Sequence, residues 1–198
     1  EVKKVYKELY KKVLKIFENA AVDRRYSIMN PEEVFLNSSF EEKNDIYTRE
    51  SIKLAEKSLL KVLDKAKLQP TDIDYIITVS CTGIMIPSLD AYLINSLKMK
   101  QDIVRLPVTE MGCAAGVSGI LYAKNFLKAN PNKRAVVIAV ESPTATFQLQ
   151  DYSMVNIVSA AIFGDGCASV ILSSYEDEAG PEIKDEAMYH FFDAEHMM

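Results

Sequence analysis

Three features of the sequence predict an α/β fold, with a mostly parallel sheet lying between layers of helix. Runs rich in β-branched residues alternate with helical segments along most of the chain. The strand-like runs are rich in β-branched apolar residues, as expected of strands covered by helices on both faces. At 198 residues the chain is long enough to bury one sizeable core.

The elements follow in order. Residues 2–19 carry Val2, Val5, Leu9, Val13 and Phe17 mostly at three- and four-residue steps, which predicts an amphipathic helix whose other faces are rich in lysine. A polar stretch with Asn30-Pro31 and Asn37-Ser38 reads as irregular connection. A second helix is expected over 47–66, where Ile52, Ala55, Leu59, Val62 and Ala66 form the apolar stripe, and Pro70 closes it. Ile73–Ser80 reads as a buried strand. Thereafter a helix is expected at Leu89–Lys98, a strand at Ile103–Val108, a helix at Cys113–Ala129, a strand at Arg134–Val140, a helix at Ser153–Ile162 and a strand at Ala168–Ser173. Ala187–Ala194 is a further candidate strand beyond an acidic loop from Tyr175 to Gly180.

Composition narrows the function classes. A formal net charge of −5 argues against nucleic acid as the main partner. No apolar run approaches the roughly 18–20 residues of a membrane span, and no signal peptide is expected at Glu1. Cys81, Cys113 and Cys167 are odd in number and widely spaced, which fits a reducing cytoplasm rather than a disulfide framework. The histidines, His190 and His196, sit near the end of the chain and make no metal-binding spacing with the cysteines, so no metal is expected.

The most informative segment is Met111-Gly112-Cys113-Ala114-Ala115-Gly116-Val117-Ser118-Gly119, which follows a strand and opens a helix. Its first two turns are small or apolar on every side, the pattern of a helix inside a protein, and its small residues allow neighbouring backbones to approach. A cysteine at such a start lies beside unpaired N–H groups and the positive end of the helix dipole, which favour the reactive thiolate. The local pattern leaves a second reading open, because a lone cysteine among Ala and Gly also serves as inert packing.

Met111-Gly112-Cys113-Ala114-Ala115-Gly116 resembles the nucleophile motif of type III polyketide synthases, the chalcone-synthase-like condensing enzymes of the thiolase-like superfamily. Three further matches occur in the family's order. They are Asp23-Arg24-Arg25-Tyr26 after the first helix, Cys81-Thr82-Gly83-Ile84-Met85-Ile86-Pro87-Ser88-Leu89-Asp90 after the first strand, and Phe163-Gly164-Asp165-Gly166-Cys167-Ala168 before a long strand. The resemblance covers residues 5 to 195 or thereabouts. It implies that residues 1–198 form the N-terminal thiolase-like domain, with a five-stranded type of sheet and a buried cysteine-bearing helix. The family's first strand and its C-terminal half, which supplies a catalytic His and Asn, are not in the chain, so the isolated chain is expected to be inactive.

In the family the cysteine, here Cys113, accepts a starter acyl group from coenzyme A, and decarboxylating malonyl-CoA extends it by two carbons. No cofactor is implied, since the CoA thioesters are substrates. By match, Phe163 is the aromatic gate between acyl cavity and CoA tunnel, and Cys81, Pro143 and Thr146 line the cavity. Plant members commonly carry threonines at cavity positions, so Cys81 and Pro143 argue against assuming a plant-like starter. Ile86 matches a residue that reaches into the partner's cavity across a homodimer. Lys12 and Lys15 match two CoA-phosphate contacts, although a solvated lysine face explains them equally and the third such position is the uncharged Asn19. Gly164 and Gly166 are expected to permit a tight turn capped by Asp165. Two other readings stand beside this one: a single-step condensing enzyme of the ketoacyl synthase III type, acting on a carrier protein, and a non-catalytic scaffold half.

Overall fold

A computed structural model describes residues 2–36 and 39–193, with residues 2–9 as helical backbone. Six helices and four strands run in the order α1 (Val2–Ala20), α2 (Pro31–Val34), α3 (Phe40–Ala66), β1 (Tyr75–Val79), α4 (Leu89–Ser96), β2 (Val104–Val108), α5 (Ala115–Ala129), β3 (Arg134–Glu141), α6 (Met154–Ile162) and β4 (Gly166–Ser173). The strands form one sheet in the order β2-β1-β3-β4. The first three are parallel, and β4 returns antiparallel along β3, with Gly166 opposite Glu141. The sheet is therefore mixed. Among the described residues it has four strands rather than five, and residues 187–193 form no strand; the rest of that expectation, Ala194, lies outside the described residues.

Side-chain alternation along the central strands builds two cores. Ile76 on β1 and Val136, Ile138 and Val140 on β3 face α3 and α4, packing against Ala55, Leu59, Leu63 and Leu93. Their neighbours Tyr75, Ile77, Val79, Ala135 and Val137 face α5, packing against Ala115, Ala123 and Leu127. A period of two in the strands thus puts helices on both faces of one sheet. Each fully buried Ile or Leu contributes about 1.5–3 kcal/mol by leaving water.

α3 begins seven residues before the apolar stripe suggests. Ser39 Oγ accepts from Glu42 N (3.2 Å) while the Glu42 carboxylate accepts from Ser39 N (2.8 Å), a reciprocal cap readable as Ser-x-x-Glu in the sequence. At the N-terminal ends of the strands, Asp74 accepts from Lys100 Nζ (2.7 Å), Lys133 Nζ (2.9 Å) and the Arg134 amide (3.0 Å). Burial alone would raise the Asp74 carboxyl, but these three donors together hold it below its ordinary range. One carboxylate thereby ties β1 to β3 and to the turn before β2. The chemistry-bearing residues lie at the other end of the sheet.

Candidate active site

In a parallel sheet the loops that follow the strands gather at one edge, and that edge is where such folds place their sites. The loop after β1 carries Cys81 and Ile86, the loop after β2 carries Cys113, and the loop after β3 carries Pro143 and Thr146. Because β4 runs antiparallel, its start lies beside the end of β3, which brings Phe163 to the same edge. Topology alone thus assembles residues spread over more than eighty positions.

Cys113 sits on a 3-10 turn, Gly112–Ala114, two residues ahead of α5 rather than as its first residue. The backbone reaches it through two left-handed residues, Glu110 (φ 62°) and Gly112 (φ 59°). This sharp turn lifts Cys113 off the sheet, and its side chain is exposed. The helix is not buried all round as its sequence suggests. Its inner face, with Ala115, Ser118, Gly119 and Ala123, is buried against the sheet, while Val117 is 63% exposed on the other side.

Cys81 is held beside it. The Cys81 amide donates to both oxygens of the Glu141 carboxylate, at 3.0 and 3.2 Å. Burial raises the Cys81 thiol, and the Glu141 charge, a hydrogen bond to Glu141 and the nearby Cys113 add to that. Sequence reasoning missed Glu141; the signal available was a carboxylate ending the otherwise apolar run Ala135–Val140.

Two further residues missed in the sequence, Tyr47 and Asn44 on α3, brace the same loop. Tyr47 is buried and its hydroxyl lies 2.7 Å from Ser80 Oγ, while its ring packs against Gly83, leaving no room for a side chain there. Burial pushes the Tyr47 hydroxyl up from its ordinary value, with the hydrogen bond to Ser80 opposing it. The Asn44 side chain pairs with the Ile84 backbone as another peptide would, Nδ2 to Ile84 O and Ile84 N to Oδ1, both 2.9 Å. A fourth tie runs from the Ser142 amide to Thr82 Oγ1 at 2.8 Å. The braced loop projects Ile86 outward, 91% exposed and preceding a cis bond to Pro87.

Pro143 opens a 3-10 turn over Pro143–Ala145, and Thr146 caps it by donating its hydroxyl to the Pro143 carbonyl (3.0 Å). Phe163 terminates α6 and is half exposed. Asp165 does not cap its own turn, as the motif suggested. Its carboxylate instead accepts from the distant Ile28 and Thr144 amides. Lys12 and Lys15 are exposed on α1, which packs against α6 rather than on the sheet edge itself. His190 is exposed in the irregular stretch 181–193, and His196 lies outside the described residues.

The edge forms an open shelf, with a cleft of about 40 Å³ between Tyr47, Ser80, Gly83 and Thr109. A larger concavity of about 480 Å³ lies on the outer face of α3 along Ile52, Lys57 and Leu60, and it carries no nucleophile. The shelf, not the larger concavity, has the chemistry: an exposed thiol, a second thiol, a carboxylate and an aromatic side chain. Among the described residues, no cluster of three or more His, Cys, Asp or Glu could hold a metal ion, and no helix is long and apolar enough to cross a membrane.

Residues 1–191 match the family model of FAE1/type III polyketide synthase-like proteins. The chain is 29% identical over 182 residues to the phloroglucinol synthase of Pseudomonas fluorescens, covering 92% of this chain and 52% of that protein. It is 35% identical over 159 residues to the 1,3,6,8-tetrahydroxynaphthalene synthase of Streptomyces coelicolor, covering 80% of this chain and 42% of that protein. The crystal structure of that synthase, a bacterial type III polyketide synthase, superposes with a TM-score of 0.89 at 32% identity, covering 93% of this chain and 53% of that one. The chain spans about half the length of the curated relatives it matches.

Proposed function

The chain belongs to the FAE1/type III polyketide synthase-like family, and from that premise we propose that it forms the N-terminal half of a cytoplasmic type III polyketide synthase whose nucleophile is Cys113. The observation that carries the reading is the convergence of Cys113, Cys81, Pro143, Thr146 and Phe163 on one sheet edge, from four separate loops.

The chemistry is two-step acyl transfer. The Cys113 thiolate attacks the carbonyl of an acyl-CoA, a new thioester forms and the CoA thiolate leaves, taking a proton. Malonyl-CoA then loses carbon dioxide, and its α-carbon attacks the Cys113 thioester, expelling the thiolate and giving a β-ketoacyl-CoA two carbons longer. No cofactor enters this sequence. Cys81, Pro143 and Thr146 form the wall against which the acyl chain lies, Phe163 gates it, and Lys12 and Lys15 on α1 meet the CoA phosphates. The catalytic His and Asn come from a second half that covers the shelf and the apolar surface now presented by Val117 on α5, Val155 on α6 and Phe163. Ile86 reaches into the cavity of a second copy in a homodimer.

Cys113→Ala in the complete enzyme separates chemistry from packing. Cys113 is exposed and Ala suits its neighbours, so the expected stability cost is at most about 1 kcal/mol. Loss of the covalent intermediate is expected to abolish acylation by a starter CoA, read as intact-protein mass beside a thermal melt. A variant that still gains the acyl mass, or one that fails to fold, overturns the assignment.

A further inference from the structure

Asp165 is 6% exposed, and its backbone and side chain join three segments that are far apart in sequence. Its amide donates to the Tyr26 carbonyl at 2.8 Å. One carboxylate oxygen accepts from the Ile28 amide at 2.6 Å and from the Thr144 hydroxyl, and the other accepts from the Thr144 amide at 3.0 Å. Thr144 lies between Pro143 and Thr146, the proposed cavity wall, and Asp165 lies two residues beyond Phe163, the proposed gate. On the gate side the fit is close, since a Cβ on Gly164 would stand 3.2 Å from Arg25 Cβ. Arg25 in turn donates to the carbonyl of the buried Ala161 in the last turn of α6, the helix that Phe163 ends.

We propose that Asp165 is a positioning residue for starter selection: by pinning the Phe163 gate to the Pro143–Thr146 wall, it sets the length of acyl chain that Cys113 accepts. A carboxylate receiving two amides and a hydroxyl has its rotamer fixed, so gate and wall move as one body. The inference rests on the reading of Cys113 as the loaded nucleophile. Without the link only the β3–β4 pairing behind them ties the two sides of the cavity, and a misplacement of about 1 Å can change a rate by up to about 100-fold.

The test compares wild type, Asp165→Asn and Thr144→Val in the complete enzyme. Asn turns an amino group toward one of the donors now met by the carboxylate, and Val removes only the Thr144 hydroxyl while keeping its amide and volume. Loading of Cys113 by acetyl-, hexanoyl- and dodecanoyl-CoA is followed by intact-protein mass, and hydrogen exchange is read at the Ile28 and Thr144 amides. In Asp165→Asn the ratio of dodecanoyl to acetyl loading is expected to move by about tenfold, with faster exchange at both amides. Thr144→Val is expected to move it in the same direction by a smaller factor, and it decides the matter if Asp165→Asn does not fold. A lower melting temperature with an unchanged loading ratio in the folded variants overturns the positioning role alone. A wild-type enzyme that loads none of the three thioesters removes the nucleophile reading and this inference with it.

Discussion

The three cysteines differ by environment more than by type. Cys167 lies in β4, half-buried, and burial pushes its thiol up to about 11, with only a hydrogen bond from Ser58 opposing. Cys81 is raised by burial and then by Glu141. Cys113 stands exposed on its turn. Since the thiolate is the alkylated species, Cys167 is expected to resist iodoacetamide at pH 7–8 and to react appreciably only above about pH 10. Cys113 is expected to label first and Cys81 second, in peptide maps taken against time and pH. Faster labelling of Cys167 than of Cys113 in folded protein contradicts this order.

Among the elements, the turn into α5 and the helix behind it depend on glycines for different reasons. Gly112 has φ 59° with no atom within 4 Å of an added Cβ, so Gly112→Ala meets backbone strain and no clash. A loss of about 1 kcal/mol is expected. Gly119 faces the sheet, where a Cβ would stand 2.9 Å from Val137 Cγ1, so Gly119→Ala forces helix and sheet apart and is expected to cost about 1–3 kcal/mol. Gly116 points into open space on the same helix, and Gly116→Ala is expected to gain about 0.5–1 kcal/mol. Urea midpoints measure all three. A gain from Gly119→Ala contradicts the packing of α5 on β1 and β3.

For the whole molecule, helices cover both faces of the central strands β1 and β3, yet one edge remains open and Ile86 projects from it. Ile86 is held out by a loop fastened to α3 and β3 through Asn44, Tyr47 and Glu141. A fastened apolar projection fits a preformed contact, because no ordering entropy remains to oppose binding. The complete enzyme is expected to sediment as a dimer, and Ile86→Asp is expected to shift it toward monomer with an unchanged far-UV circular dichroism spectrum, any fall in the melt following from the lost association. A concentration-independent monomer contradicts it.

Strand and helix periodicity was legible in the sequence because each element repeats its own contacts: the stripe of α3 and the β-branched runs of β1 and β3 needed no knowledge of partners. Cys113 was singled out as the candidate nucleophile through Gly112-Cys113 and through the family motifs around it. The sheet order and the antiparallel β4 were not, since apolar runs look alike whichever neighbour they pair with. Glu141, Asn44, Tyr47 and the long reach of Asp165 were hidden for a related reason. Each acts through a partner 33 to 137 residues away, and a hydrogen bond across that distance leaves no periodic trace in the chain. Local periodicity suffices to tell which segments are helices and strands, and the order of residues alone places a thiol directly after Gly112. Which loops meet at the sheet edge is set by strand pairing, a long-range choice that local preference does not encode.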